Sequence, residues 1–272
     1  MARGAGATVV GAVARRGMLA SLIVLAVAAG GAAGCSSGSG GSTAGAGNAS
    51  ASASPSESIS ADCITPGSAQ AKQIVHYPNP DGAQVEAYLS SPNSGKHVSS
   101  AGTVGIVIVH QSGQTLCESM SWAVTFSDAG YLALAPTVAE YQQIEDVEAS
   151  VAYLRGHGAK QIVLLGASMG GTAVLQVAAQ LTPPVQAVVS LSGPSIYSPL
   201  DAILTAPKLA VPVFYSAGAA DTEFASAETD LYNATTERDK TLDIVPNDPS
   251  HGFALLSDVL PKVEAFLLAH IH

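Results

Sequence analysis

Basic side chains are scarce. The 272-residue chain has 11 Lys and Arg against 21 Asp and Glu, a formal net charge of −10. Arg3, Arg15 and Arg16 all precede Cys35 in a stretch without an acid, so the remainder is more acidic still. That balance argues against nucleic acid or an anionic bilayer surface as a partner. Clustered ligands are missing as well. The acids show no metal-ligand spacing, and no Gly-rich loop runs into the Lys that a phosphate cradle needs, so neither a metal nor a cofactor is expected. No apolar run reaches the ~20 residues of a membrane-spanning helix. There is no internal repeat, and the length fits one domain with appendages.

The first appendage is residues 1–34. Arg15 and Arg16 close a basic segment, and an apolar run over 18–29 comes next. Ala32-Ala33-Gly34-Cys35 resembles a lipobox, where a bacterial lipoprotein is cut and the new N-terminal Cys35 acylated, with Ala32 where Leu is usual. The expectation is an exported lipoprotein held at the outer face of the cytoplasmic membrane, or a secreted protein if the lipobox is not used. Residues 35–61 are nearly all Gly, Ser and Ala. They bury too little apolar surface to offset their ordering entropy and read as a tether. The domain proper is 62–272. Its cysteines are Cys63 and Cys117, and in an exported chain such a pair predicts a disulfide. It would tie the start of the domain to the loop after the first buried strand and contribute about 4 kcal/mol on the chain-entropy account.

Within the domain, strand and helix patterns alternate. Short strands at 73–77 and 84–89 flank the turn-rich Pro78-Asn79-Pro80-Asp81-Gly82. Continuous apolar runs at 104–109, 131–136, 162–165, 187–191 and 213–217 have the character of parallel strands covered on both faces. Another strand is read at 242–245. Helical patterns occupy 122–129, 141–155, the stretch after Ser168, 227–236 and 261–269. The alternation predicts a mostly parallel sheet with helices on both faces. Only about 20 residues separate the strand ending at Leu191 from that starting at Val213, too few for a large lid domain.

The chemistry centres on Gly166-Ala167-Ser168-Met169-Gly170. This is G-x-S-x-G between a strand and a helix, a setting that puts a serine hydroxyl at the tip of a sharp turn above a helix N-terminus. The bland alternative is a serine that merely caps the helix. Downstream, the strand 213–217 runs into Gly218-Ala219-Ala220-Asp221, and the last strand leads into Asp248-Pro249-Ser250-His251-Gly252. Ser, Asp and His in that order, each after a strand, resemble the α/β-hydrolase family, and the dienelactone-hydrolase-like branch in particular. The stretches HYPNPDGAQVEAYLSSP and GYLALAP are similar to that branch too. Its members typically carry Cys at the nucleophile position; Ser168 turns the resemblance toward serine relatives that cleave esters or thioesters.

The resemblance implies an α/β-hydrolase fold and a catalytic triad. Ser168 would attack, His251 would carry the proton, and Asp221 would orient the imidazole, with Glu223 the runner-up carboxylate. Asp248 is read as serving its own turn. The Met169 N–H would be one oxyanion donor. The second would come from the loop after the 104–109 strand, through the N–H of Gln111 or Ser112; many members have His-Gly where this chain has His110-Gln111. His110 is read as structural. Trp122 and Tyr197 are candidate pocket residues and equally ordinary core or rim aromatics. The expected partner is a small ester or acyl compound. Two other readings keep the same fold: a thioesterase, acyltransferase or peptidase using the same triad, or a surface binding module without activity.

Overall fold

A computed structural model of the protein describes residues 59–92 and 102–271. The expected signal at 1–34, the acylation site Cys35 and most of the 35–61 tether lie outside the described residues. Two antiparallel strands come first, β1 (Ile74–Pro78) and β2 (Gln84–Ser90). Asn79 makes the turn between them. Its Oδ1 accepts from the N–H groups of Asp81 and Ala83, and its Nδ2 donates to Asp146.

The buried strands come next as β3 (Val104–Val109), β4 (Leu132–Pro136), β5 (Gln161–Ala167), β6 (Ala187–Leu191) and β9 (Val213–Gly218), each buried along its length. With β10 (Lys240–Val245) they form an eight-stranded sheet in the order β1-β2-β4-β3-β5-β6-β9-β10. Every pairing from β4 to β10 is parallel. This is the mostly parallel sheet that the strand–helix alternation predicts.

The pleat of β3 shows why its residues are apolar throughout. Val107 and Val109 enter one core, with residues of α2 (Gln143–Gly156), α3 (Met169–Ala178) and α5 (Thr222–Ala234). Ile106 and Ile108 enter the other, with residues of α1 (Leu116–Asp128) and α6 (Phe253–His270). A strand covered on both faces favours apolar side chains at every position.

Three helices, α1, α5 and α6, start earlier than their sequence patterns indicate. Helix α1 begins at Leu116 rather than near Trp122, because Thr115 caps it by accepting from the Cys117 N–H at 3.3 Å. Cys117 therefore sits in the first turn of a helix, not in the loop expected for it. The Cys63–Cys117 bridge is present, with the Cα atoms 5.7 Å apart. Helix α6 begins at Phe253 and runs through Pro261, which the sequence pattern takes as its start. Between β6 and β9 there is no lid domain. A small hairpin of β7 (Ile196–Tyr197) and β8 (Leu200–Asp201) leads into the one-turn helix α4 (Ala202–Thr205).

Candidate active site

Parallel strands all deliver their succeeding turns to one edge of a sheet. The sharpest of these turns joins β5 to α3 at Ser168, which adopts φ 51°, ψ −121°. Positive φ is uncommon outside glycine and marks a turn held by its surroundings. Those surroundings explain the flanking glycines. A Cβ on Gly166 would lie 2.1 Å from the Gly170 carbonyl oxygen, and one on Gly170 would lie 2.4 Å from that of Val109. Ser168 is half-exposed, and its side chain does not cap α3. The helix instead begins at Met169 with its first N–H groups directed at the space beside Ser168, a ready environment for negative charge.

His251 and Asp221 meet as expected. His251 Nδ1 lies 2.7 Å from Asp221 Oδ2, with both side chains partly shielded from solvent. A carboxylate only accepts, so Nδ1 carries a proton, and in the neutral imidazole that tautomer leaves the lone pair on Nε2. Phe224, in the first turn of α5, stands against the imidazole with ring centres 4.2 Å apart and limits its rotation. Glu223 is exposed and makes no contact with His251 among the described residues. Asp248 accepts from the Ser250 N–H at 2.7 Å and so serves its own turn.

The histidine turn lies against the nucleophile turn. A Cβ on Gly252 would approach the Ala167 Cβ to 3.3 Å and overlap the Gln111 side-chain amide. Three turns therefore converge: the one carrying Ser168, the one carrying His251, and the loop after β3. Within that loop the Gln111 N–H donates to Glu118 Oε2 at 2.9 Å, and the Gln111 side chain also bonds Glu118. Of the two expected second oxyanion donors, Gln111 thus has its N–H already committed. Ser112 is exposed, and its Oγ is 2.5 Å from the Tyr197 hydroxyl. His110 is buried. Its Nε2 accepts from the Val138 N–H at 2.8 Å and its Nδ1 contacts the Gln111 carbonyl at 2.7 Å. Burial pushes its pKa down, which keeps the ring neutral in this structural position.

Two cavities flank the converging turns. One of about 140 Å³ is lined by Met169, His110, Ser112, Gln143 and Tyr197, among others. The other, about 280 Å³, is lined by Ile196, Phe224, Glu223 and Asp230 among its walls. The β7–β8 hairpin separates them. Ile196 and Tyr197 are neighbours on a strand and point to opposite sides, one toward each cavity. A strand pair this short carries no readable periodicity and so has no signature in the sequence. Trp122, the other aromatic candidate, packs on Phe253 in the core, ring centres 6.4 Å apart.

Sequence reasoning also passes over Ser192, in the turn after β6. Its backbone has φ 52°, its N–H donates to the Ser216 carbonyl at 2.8 Å, and its Oγ accepts from the Gly252 N–H at 3.1 Å. The signal is a serine and a glycine directly after a buried strand, without a motif to single it out. Among the described residues no group of His, Cys, Asp and Glu could hold a metal ion.

Known proteins share this fold. Residues 139–265 match the dienelactone hydrolase family. That span contains Ser168, Asp221 and His251. A dienelactone hydrolase from Anabaena variabilis is 21% identical, with a TM-score of 0.59 over 74% of this chain and 100% of that one. The Pyrococcus furiosus esterase Pf2001 is 13% identical, with a TM-score of 0.60 over 73% of this chain and 91% of that one. Est1E from Butyrivibrio proteoclasticus is 16% identical, with a TM-score of 0.59 over 73% of this chain and 99% of that one. No curated protein matches. At these identities the structural likenesses establish the α/β-hydrolase fold and leave the chemistry to the site.

Proposed function

We propose that the protein is a serine hydrolase that cleaves small carboxylic esters through an acyl-enzyme. The observation that carries this reading is the 2.7 Å His251–Asp221 pair on a turn that lies against the Ser168 turn. Ser168 Oγ attacks the ester carbonyl carbon while His251 Nε2 takes its proton. Asp221 holds the Nδ1–H and stabilises the imidazolium. The Met169 N–H donates to the oxyanion, and the Ser112 N–H serves as second donor because that of Gln111 is engaged. Collapse breaks the bond to the alcohol oxygen, which leaves with the proton from His251. Water then attacks the acyl carbon, giving a proton to His251, and the acid departs as Ser168 is reprotonated.

The substrate is small on this reading, since about 140 Å³ beside Met169 is below the usual range of ligand pockets. A structure of Est1E holds ferulic acid. Export and acylation at Cys35 are part of the proposal, resting on the basic segment closed by Arg15 and Arg16, the apolar run over 18–29 and the Ala32–Cys35 pattern. The experiment is labelling with a fluorophosphonate probe, and then hydrolysis of p-nitrophenyl acetate and butyrate. Labelling of the peptide that contains Ser168, lost in Ser168→Ala, is the expected result. Hydrolysis at full rate by Ser168→Ala would sink the assignment, and a folded wild type that takes no probe would favour a binding module.

A further inference from the structure

The turn after β6 is gripped from behind by one residue of α5. Ser190 Oγ donates to Glu228 Oε1 at 2.7 Å, and the Gly193 N–H donates to the same oxygen at 2.6 Å. Glu228 is fully buried, and its Oε2 finds no partner among the described residues. None of their ion pairs includes it. Such an acid in the core is costly as an anion. Burial raises its pKa well above the ordinary carboxyl range, so Oε1 acts as the carbonyl oxygen of a neutral acid.

Space for this contact is kept by glycine. A Cβ on Gly193 would stand 2.5 Å from Ser190 Oγ, and one on Gly171 of α3 would stand 2.8 Å from the same atom. Between the two gripped residues lie Leu191 and Ser192, and each holds one member of the candidate site. The Leu191 carbonyl accepts from the Ser168 N–H at 2.8 Å. Ser192 Oγ accepts from the N–H of Gly252, the residue after His251. The third member is linked through the helix itself, since α5 begins directly after Asp221.

We propose that Glu228 is a positioning residue for the ester-cleaving site, holding the 190–193 turn so that Ser168, His251 and Asp221 stay aligned. The inference rests on the hydrolase reading above. It differs from plain core packing in what it predicts. A packing role changes how many molecules fold. A positioning role changes how fast each folded site turns over, because small displacements of reacting groups cost up to about 100-fold in rate.

The test measures kcat and KM on p-nitrophenyl acetate, with active sites counted by fluorophosphonate labelling. Glu228→Gln keeps a carbonyl acceptor for both donors and should retain kcat within about threefold. Glu228→Ala removes it and should lower kcat per labelled site about 10- to 100-fold, with KM within about twofold. An unchanged kcat per site in Glu228→Ala would overturn the inference, as would a Gln variant as slow as the Ala variant. If Glu228→Ala does not fold, Ser190→Ala breaks one of the two bonds, and a wild-type kcat there also overturns it. A wild type that takes no probe at Ser168 removes the hydrolase reading and this inference together, a result distinct from a reactive wild type with unimpaired variants.

Discussion

Two serines follow adjacent parallel strands with nearly the same positive φ, Ser168 after β5 at 51° and Ser192 after β6 at 52°. Their side chains have opposite fates. Ser192 is fully buried and its hydroxyl is consumed by the Gly252 N–H. Ser168 is half-exposed and is not spent as a helix cap. The difference lies in the chain immediately C-terminal to each serine. After Ser168 a helix starts at once and presents free N–H groups. After Ser192 the chain passes Gly193 and Pro194 into a hairpin, and its polar groups are claimed by neighbouring turns. A strained strand-end serine is therefore not by itself a candidate nucleophile; Ser168 is the better candidate because, among the described residues, its hydroxyl is not spent on the helix cap.

Removing the hydroxyl from Ser168 is the most direct way to break this comparison. Ser168→Ala should lower kcat/KM on p-nitrophenyl esters by at least about 10⁴-fold. Its thermal midpoint should stay close to the wild type, because no hydrogen bond of the Ser168 side chain contributes to the helix cap. A variant that lost stability but kept its rate would invert the assignment of the two positions.

The disulfide sharpens the separation between stability and activity. Replacing both Cys63 and Cys117 by Ser frees a loop with a sequence separation of 54. The cost is about 4 kcal/mol on the chain-entropy account. For a domain of this size that is a fall in Tm of roughly 8–16 °C. The turnover of each folded molecule should change by less than about twofold, as neither sulfur touches the converging turns. A large fall in kcat with an unchanged Tm would mean that the bridge tensions the α1 start, where Glu118 holds the Gln111 loop.

Ser192→Ala comes next. It leaves the buried Gly252 N–H without its acceptor, a loss of about 1–3 kcal/mol in stability. Part of the same loss should appear in kcat, since Gly252 is the residue directly after His251. Urea unfolding and steady-state kinetics on one preparation separate the two. A stability loss with no change in kcat would show that the β6 turn is scaffold only.

Most of the architecture was legible because each buried strand had no alternative. The runs at Val104–Val109 and Ala187–Leu191 carry no polar side chain except Ser190, so their bounds read directly from the sequence. The Ser, Asp and His candidates stood out as a motif and an order, and of these the described geometry pairs Asp221 with His251. The start of α3 after Ser168 was legible from its motif, but the other two helix starts at the site were not. Helix α5 begins directly after Asp221 and α6 directly after Gly252. Those starts are set by tertiary turns, whereas sequence reading looks for a capping residue before an apolar stripe or a proline at the first position. Pro261 misled in this way. Glu228 did leave a trace, an acid on the stripe Phe224, Glu228, Leu231 and Thr235, where the flanking spacing of four and three marks the face turned inward. A charge on a core stripe contradicts the pattern around it, and such conflicts concentrate at functional positions.

The smallest effect concerns that acid and is read in stability against pH. A carboxyl with a raised folded-state pKa is protonated in the folded protein and ionised in the unfolded chain between the two pKa values. The folded state then binds more protons, so this group weakens folding as pH rises above the unfolded value of about 4.3. The groups facing Glu228 do not offset this. Tyr215 on β9 has its phenol pKa pushed up by burial, and Ser190 and Gly193 are neutral donors. Gly171 of α3 brings no charge, and Glu223 and Asp230 on α5 are exposed acids. Glu228→Gln removes the titration while keeping the contacts. Its thermal midpoint should lie close to the wild type near pH ~4.5 and exceed it by a growing margin as the pH is raised above that value. A constant margin would mean that Glu228 is ionised in the folded protein, and its grip on the β6 turn would then be that of an anion.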